Sequence, residues 1–359
     1  MQTMQSTPVE TLFFIPDISG FTKFVTETEI CHSQHIVKEL LEALVDANTL
    51  ELKVAEFEGD AVLFYRHGPP PPLEAIVEQA RRMFVEFHGL LQRIEYLRVC
   101  RCGACTGASR LGLKVVAHHG AASTMAVKDH VKFIGRDVIV AHRLLKNSVP
   151  EAEYLLLTQA TLARLGLADA DTGTGFAPGA DAYDDLGKIS YRYRSLAGYL
   201  ADVRFDPPPP SGLKDPVKMM RISRRIDASA ERIYELLIDL PARMQWIDGI
   251  KSIEFRDDRP NQIGKVHRCV REGNDPEVVT SDARIGEQAL EFWETDTKRL
   301  GACKYSLTKA ADGATDVVLE FFVRRNLIVQ LVFKALMQRK LKAGFERSLA
   351  NLARLCTAG

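Results

Sequence analysis

The sequence lacks the features that would identify a membrane, secreted or nucleic-acid-binding protein from composition alone. Its longest apolar runs, at residues 11–16 and 327–333, are far shorter than the roughly 20 residues that span a bilayer. Basic and acidic residues number 47 each, so no overall field favours nucleic acid or an anionic surface. The first ten residues show no basic cluster followed by an apolar stretch. We therefore expect a cytoplasmic protein without a transmembrane segment.

An even set of cysteines is also missing, because the chain has seven. In a reducing compartment we expect thiols or metal ligands rather than a disulfide framework. Cys100, Cys102 and Cys105 crowd into six residues, and soft ligands that close together suggest a structural zinc site. The alternative is a group of unligated surface thiols. A tetrahedral zinc site needs a fourth ligand, and the candidates in the sequence are His118, His119, Cys31, His32 and His35.

The length of 359 residues and the 46% hydrophobic content predict two domains with substantial cores. A proline run at residues 207–210 lies between two complete successions of strands and helices. We therefore predict a first domain over residues 1–204, a stiff linker over 205–214 and a second domain over 215–359. The earlier proline run at 69–72 separates a strand from a long helix and is predicted to be a turn within the first domain.

The first half alternates strand and helix patterns and predicts a mixed α/β sandwich. Predicted strands cover residues 11–15, 53–58, 61–65, 113–117 and 154–158, with a strand pair around 188–193, and predicted helices cover 36–44, 73–97 and 138–145.

Two carboxylates stand at turns that follow or join these strands. Asp17 ends an apolar strand in the segment DISGFT, and Asp60 lies at the tip of a tight hairpin in EGDAVLF, where Gly59 supplies backbone freedom. Such carboxylates can share two magnesium ions against a triphosphate. Backbone amides could cradle the phosphates at Ile18, Ser19, Gly20 and Phe21. The alternative is a helix cap at Asp17 and an ordinary turn at Asp60.

The two motifs resemble the metal-aspartate motifs of class III adenylyl and guanylyl cyclases, in the same order and spacing. The resemblance continues through LKVVAHHGAA and IGRDVIVAHRL over roughly the first 200 residues. It implies an α+β ferredoxin-like sandwich, a homodimer, Mg²⁺ or Mn²⁺ at Asp17 and Asp60, and a purine nucleoside triphosphate as partner.

The resemblance also implies roles for four further residues. Arg143 matches the catalytic arginine that stabilises the transition state, and Lys188 matches a phosphate-binding lysine. The two base-reading positions hold Glu56 and Lys132. The position of the family's catalytic asparagine holds Ile139, which makes no hydrogen bond through its side chain.

The second half begins with a strand and a helix, followed by an antiparallel succession of strands and a long terminal helix. The strands are predicted at residues 217–226, 250–255, 265–270, 277–285, 289–294, 302–309 and 315–323. The segment around MMRISRRIDASAERIYELLIDL resembles the START-like polyketide cyclase/lipid-transport superfamily (SRPBCC). That resemblance implies a helix-grip domain with a site for an apolar small molecule. Candidates for its lining, or for plain core, are Trp246, Phe292, Trp293, Phe321 and Phe333.

These observations predict a divergent, homodimeric nucleotidyl cyclase-like signalling protein whose second domain binds an apolar ligand. Two alternatives belong to other classes: a catalytically inactive nucleotide sensor or dimerisation module, and a hydrophobic-ligand carrier. Basic residues crowd the last part of the chain, where they favour either contact with anionic lipid or a solvated helix face. Arg324, Arg325, Lys334, Arg339, Lys340, Lys342 and Arg347 form this group.

Overall fold

The chain forms two compact units in a computed structural model that describes residues 7–128, 130–167, 175–257, 259–271 and 276–357. The first unit comprises the chain up to Ile94 together with Gly107–Phe205, and the second comprises Glu95–Thr106 together with the chain from Asp206. The change of unit at residue 205 falls at the start of the predicted linker. Residues 95–106 differ from the prediction, because they pack with the second unit and not with the first.

The elements of the first unit follow the predicted order closely. They are β1 (Val9–Ser19), α1 (Phe21–Glu27), α2 (Ile30–Asp46), β2 (Lys53–Glu58), β3 (Ala61–His67), α3 (Leu73–Leu97), α4 (Gly103–Gly107), β4 (Gly112–Val127), β5 (His130–Ile134), α5 (Arg136–Arg143), β6 (Tyr154–Thr158), α6 (Gln159–Arg164), β7 (Ala177–Tyr183) and β8 (Gly187–Ser195). Helices α3 and α4 lie partly in the segment that packs with the second unit.

The sheet of the first unit has the strand order β2-β3-β1-β4-β6-β8-β7, with β5 paired to the far end of β4. Only the β4–β6 pair is parallel among the pairings of this sheet that the structure describes. Central strand β1 is apolar on both faces. Its Phe13 and Ile15 pack against Val138 and Ala141 of α5, so this helix covers one face of the strand that carries Asp17.

The second unit is built on a seven-stranded antiparallel sheet followed by a terminal helix. Its elements are β9 (Pro216–Ile226), α7 (Ala230–Ile238), β10 (Ile250–Phe255), β11 (Val266–Arg271), β12 (Glu277–Ile285), β13 (Ala289–Asp296), β14 (Gly301–Lys309), β15 (Thr315–Arg324), α8 (Leu327–Val332) and α9 (Gln338–Thr357). A π-helical turn over Phe333–Met337 joins α8 to α9. The strand order is β10-β11-β12-β13-β14-β15-β9.

The core of the second unit lies between this sheet and helices α7 and α9. Leu349 and Leu352 of α9 pack with Trp246 and Phe292 in one buried cluster. The Ser229 hydroxyl accepts a hydrogen bond from the Arg232 amide at 3.2 Å and caps α7. The α+β class and the helix-grip arrangement are confirmed.

Residues 95–106 belong to this unit because their backbone takes part in its core. Val99 is fully buried, and its carbonyl accepts a hydrogen bond from the Tyr234 hydroxyl at 3.0 Å. Tyr234 itself is 1% exposed, so its hydroxyl needs this partner. The pairing joins positions 135 residues apart, which a local sequence pattern does not reveal.

Candidate metal and nucleotide site

Asp17 and Asp60 meet at one edge of the first unit's sheet. Strands β1 and β3 pair so that Asp17 lies opposite Ala61, the residue after Asp60. Gly59 has φ of 65°, a left-handed conformation that favours glycine and turns β2 into β3. The Ile18 amide donates to the Asp60 carbonyl at 3.1 Å and fixes the hairpin tip against β1. The Asp60 carboxyl lies close enough to that of Asp17 to raise its pKa.

The electrostatics of this pair are unbalanced. Asp17 is 7% exposed, and burial raises its pKa to about 6; Lys114 opposes that rise, while the Asp60 carboxylate adds to it. The Lys114 ammonium lies 3.3 Å from Asp17 Oδ2 and also donates to the Leu145 carbonyl at 2.9 Å. The Asp17 carboxyl therefore has one ammonium and one acidic group beside it, and a further cation would be favourable there.

The donor set fits a divalent cation of the Mg²⁺ or Mn²⁺ class. These ions prefer oxygen ligands and bind through one or two carboxylates together with substrate phosphates. Asp17 and Asp60 offer carboxylate oxygens from the end of one strand and from an adjacent hairpin turn.

The four backbone amides predicted to bind phosphate differ in their availability. The Ile18 amide donates to the Asp60 carbonyl at 3.1 Å, so among the four predicted amides it already has a backbone partner. The Ser19 hydroxyl donates to the Ala152 carbonyl at 2.7 Å. Gly20 has φ of 85° and begins α1, and Phe21 is its first residue. The amides of Ser19, Gly20 and Phe21 remain as candidates.

The other predicted nucleotide residues are exposed or half-buried, and the basic ones have no ion pair with the two aspartates among the described residues. Arg143 ends α5, with a side chain that is 58% exposed and 4.0 Å from Asp185. Lys132 on β5 and Lys188 on β8 are also exposed, and Glu56 on β2 is half-buried. Among the residues that the structure describes, none of these three basic groups forms an ion pair with Asp17 or Asp60.

The three clustered cysteines converge in the second unit. Their sulfur atoms all lie within 4.8 Å of one another. The Cys102 amide donates to Cys100 Sγ at 3.3 Å, and the Cys105 amide donates to Cys102 Sγ at 3.4 Å. Hydrogen bonds between the Cys105 thiol and the side chains of Cys100 and Cys102, together with burial, raise the pKa of the Cys105 thiol.

Two of the predicted fourth ligands have other partners. His118 bonds Thr158 at 2.9 Å and Asp137 at 3.2 Å, and His119 bonds the Gly68 carbonyl at 3.0 Å, with both rings buried in the first unit. The fourth ligand stays a prediction, with His32, His35 and Cys31 as candidates. The side chain of Cys31 lies outside the described part of the chain.

A buried charged cluster in the second unit is absent from the sequence predictions. Arg243 is 2% exposed, and its guanidinium donates to Glu294 Oε1 at 2.6 Å and to the Leu237 carbonyl at 2.7 Å. His267 Nε2 lies 3.4 Å from the same Glu294 oxygen, and burial lowers the pKa of His267 to about 4. The sequence signal for such a cluster is weak, because each residue stands in a different element.

The predicted lining aromatics divide into two groups. Trp246, Phe292 and Phe333 are at most 3% exposed and belong to the core, as the alternative interpretation had it. The Trp246 indole donates to the Leu236 carbonyl at 3.2 Å. Trp293 and Phe321 are half-buried.

Family models match parts of both units in sequence. A model described as "Protein of unknown function (DUF2652)" matches residues 37–154, and one described as "Polyketide cyclase / dehydrase and lipid transport" matches residues 219–357. The "Uncharacterized protein Rv2561/Rv2562" of Mycobacterium tuberculosis is 32% identical over 159 residues, which cover 44% of this chain and 73% of that protein. The chain belongs to the family of this mycobacterial protein. Its second unit is a polyketide cyclase/SRPBCC domain.

Solved structures similar to this chain include nucleotidyl cyclase domains. The catalytic core of a rhodopsin-guanylyl cyclase is 18% identical, with a TM-score of 0.37 and coverage of 52% of this chain and 95% of that one. The guanylyl cyclase Cya2 is 14% identical, with a TM-score of 0.38 and coverage of 53% and 93%. The adenylyl cyclase CyaB from P. aeruginosa is 15% identical, with a TM-score of 0.34 and coverage of 53% and 96%. At these identities the likeness concerns the fold alone.

Within the ranges that the structure describes, no helix is both long enough and apolar enough to cross a bilayer.

Proposed function

We propose that the first unit binds a purine nucleoside triphosphate through Mg²⁺ or Mn²⁺ held by Asp17 and Asp60, as a divergent nucleotidyl cyclase domain. The observation that carries the proposal is the meeting of these two carboxyl groups at one sheet edge, where Lys114 lies 3.3 Å from Asp17 and leaves the second acidic charge without a basic partner of its own among the described residues. The resemblance of DISGFT and EGDAVLF to the metal motifs of class III cyclases supports the same assignment.

The roles of the metal ions and the phosphate-binding backbone follow from the chemistry of this sheet edge, and those of the remaining residues follow from the resemblance to class III cyclases. Divalent cations bound by both carboxylates supply charge neutralisation for a triphosphate. The backbone at Ser19, Gly20 and Phe21 lies next to Asp17 and is suited to phosphate oxygens. Glu56 and Lys132 are assigned to the base and Lys188 to phosphate, while Arg143 is the candidate catalytic residue.

The basic residues lie on the surface, which supports a site completed by a second copy of the chain. Arg143 and Ile139 are four residues apart on α5, so they share one helix face, and Ile139 is 50% exposed. Exposed apolar side chains also lie on strands β2, β4 and β5 of the same sheet. They are Val54, Phe57, Met125, Val127, Val131 and Ile134. Burial of this surface in a homodimer would place Arg143 of one subunit across from the partner's aspartates.

Calorimetry of the full chain with a nonhydrolysable GTP or ATP analogue tests the binding proposal. We expect binding that requires Mg²⁺ or Mn²⁺ and that weakens by at least about 100-fold in Asp17→Asn and in Asp60→Asn, because each variant removes one anionic ligand. Asp46→Asn is the matched control, since it removes an exposed carboxylate of α2 in the same unit. Metal-independent binding, or unchanged affinity in both variants, would contradict the proposal.

Turnover is measured separately with ATP, GTP, CTP and UTP in the presence of Mn²⁺. A cyclic nucleotide and pyrophosphate identify a cyclase, whereas metal-dependent binding without product identifies a nucleotide sensor. Ile139→Asn restores the hydrogen-bonding side chain at the position that matches the family asparagine, so we expect it to increase product formation if the chain is an active but slow cyclase.

For the second unit we propose binding of an apolar small molecule. The support is its match to a family described by lipid transport and the helix α9 that lies across the antiparallel sheet. Native mass spectrometry of the protein, followed by organic extraction, tests this proposal. An apolar compound that remains with the full chain through purification supports it, and a ligand-free mass after addition of lipid extracts opposes it.

We also propose a structural zinc ion at Cys100, Cys102 and Cys105. Three converging sulfur atoms are the ligand set that zinc favours, and amide hydrogen bonds to two of them suit thiolate ligands. Elemental analysis should find about one zinc per chain, lost in Cys102→Ser and kept in Cys356→Ser, a thiol of α9 outside the cluster. His32→Ala and His35→Ala then test the predicted fourth ligand. A metal-free protein after expression with zinc contradicts the site.

A further inference from the structure

The segment that joins the sheet of the second unit to its terminal helix exposes a continuous apolar surface. Six large apolar side chains of α8 and the following π-helical turn are between 45% and 77% exposed. We name them the apolar helical face: Leu327, Ile328, Leu331, Val332, Leu336 and Met337. Single exposed leucines are ordinary on protein surfaces, but six within eleven residues form a patch that indicates a binding surface.

This segment is held firmly on its opposite side. The Asn326 side chain accepts hydrogen bonds from the Ile328 and Val329 amides at 2.9 and 3.1 Å and fixes the start of α8. Phe333 is 3% exposed and stacks on Phe321 with ring centroids 5.0 Å apart. Because one side of the segment is anchored in the core, the apolar helical face points away from the sheet. Its exposure is a property of the folded segment and does not come from a frayed helix end.

The charges around the apolar helical face have one sign. Residues 321–345 contain no aspartate or glutamate, and their six basic residues all have exposed positions. These are Arg324, Arg325, Lys334, Arg339, Lys340 and Lys342. Over the whole chain the basic and acidic residues balance at 47 each, so this local excess is a property of the segment.

We propose that the apolar helical face is a membrane-docking surface that inserts into the headgroup region of a bilayer rich in anionic lipid. An amphipathic helix with exposed leucines on one side and lysines and arginines around it is the arrangement that lies in the interface plane of membranes. Apolar side chains favour the acyl boundary, and each nearby basic residue increases affinity roughly fivefold on an anionic surface. The chain docks peripherally, and the inference does not depend on nucleotide binding by the first unit.

Co-sedimentation of the full chain with vesicles tests this proposal. Vesicles of phosphatidylcholine with about one third phosphatidylserine should retain the chain at least about tenfold better than phosphatidylcholine alone. Raising the salt from about 0.1 M to about 0.5 M should weaken the binding, since it screens the charged contribution. Failure to bind the phosphatidylserine vesicles at low salt would overturn the proposal.

Substitutions separate the apolar and charged contributions. Leu331→Glu and Leu336→Glu should each reduce vesicle affinity at least about tenfold, while the exposed positions keep thermal stability unchanged. Met244→Glu is the matched control, because it adds a carboxylate at another exposed apolar position of the same unit. Lys334→Gln/Arg339→Gln/Lys340→Gln should reduce binding to anionic vesicles and leave binding to phosphatidylcholine unchanged.

Sedimentation velocity distinguishes docking to a membrane from docking to a second copy. If Leu331→Glu converts a dimer to a monomer and neither protein binds vesicles, the apolar helical face is a subunit interface and the proposal is wrong. If Leu331→Glu leaves the oligomeric state unchanged and abolishes vesicle binding, the membrane assignment is supported.

Discussion

The two units each bury a carboxylate, but they balance its charge in opposite ways. Glu294 in the second unit contacts both Arg243 and His267, and its side chain is 11% exposed. Asp17 in the first unit lies beside a second acidic group, Asp60, with Lys114 as the opposing charge. The Glu294 cluster is electrostatically complete and is therefore structural. Within the part of the chain that the structure describes, the aspartate pair lacks a second basic partner, which is the arrangement that the proposed cation binding requires.

The largest expected effect on stability comes from removing Arg243, the positive charge that balances Glu294 in the second unit. Arg243→Met should lower the free energy of unfolding of this unit by about 3 to 5 kcal/mol, because Glu294 keeps its buried charge without its main partner. Urea denaturation followed by tryptophan fluorescence measures the loss, since Trp246 and Trp293 both lie in the second unit.

The double variant Arg243→Met/Glu294→Gln is the control for that experiment. It removes both charges and should recover a large part of the stability. If Arg243→Met alone costs less than about 1 kcal/mol, the cluster does not carry the structural role assigned to it.

A second test uses pH, because His267 is kept neutral by burial. Its pKa is about 4 in the folded chain and 6.5 ordinarily, so between these values the unfolded chain binds a proton that the folded chain does not. Stability is therefore unaffected by this group above pH 6.5 and falls as the pH drops toward 4, by up to about 3 kcal/mol. Urea midpoints across this range should show the slope in the wild type. His267→Gln should flatten it, and an unchanged slope in that variant would assign the effect to other groups.

The smallest expected effect on stability comes from Asp17 in the first unit, and its pH dependence is opposite in sign to that of His267. Asp17 has a raised pKa, so it favours the folded state below its ordinary value of 3.8 and loses that contribution as the pH rises through 6. At neutral pH, Asp17→Asn removes a poorly compensated buried charge and should raise the free energy of unfolding by about 1 kcal/mol.

Thermal unfolding with and without Mn²⁺ checks this prediction. The wild type should gain stability from the ion and Asp17→Asn should not. A strong destabilisation by Asp17→Asn without metal would instead make this carboxylate a structural group, and the contrast between the two units would disappear.

Much of the fold was predictable because its elements carry strong local patterns. Strands at residues 53–58, 154–158, 250–255 and 277–285 have the predicted bounds, and helix 73–97 does as well. Strand β5 was missed, since the segment HVKFI is short and gains its partner only from the long extension of β4. The π-helical turn before α9 was also missed, because it depends on how Phe333 is seated in the core.

In the candidate site, too, some residues were predictable from local sequence and others were not. Two short sequence motifs are sufficient to identify Asp17 and Asp60. The sequence analysis did not identify Lys114 as a neighbour of Asp17, because its position opposite Asp17 is set by the pairing of β1 with β4. A lysine between buried apolar residues of a strand is nevertheless a sequence signal for a buried partner charge. The Ile18 amide likewise had a backbone partner that only the β2–β3 hairpin provides.

The sequence by itself determined the order of strands and helices, the two-part organisation and the choice of the aspartate and cysteine motifs as candidate sites, because alternation, turn residues and ligand types are local properties. Tertiary structure decided which charges meet, which unit holds residues 95–106 and which side of residues 327–337 faces solvent. These outcomes depend on strand register and on packing between positions far apart in the chain, where each contact involves residues that a local pattern treats independently.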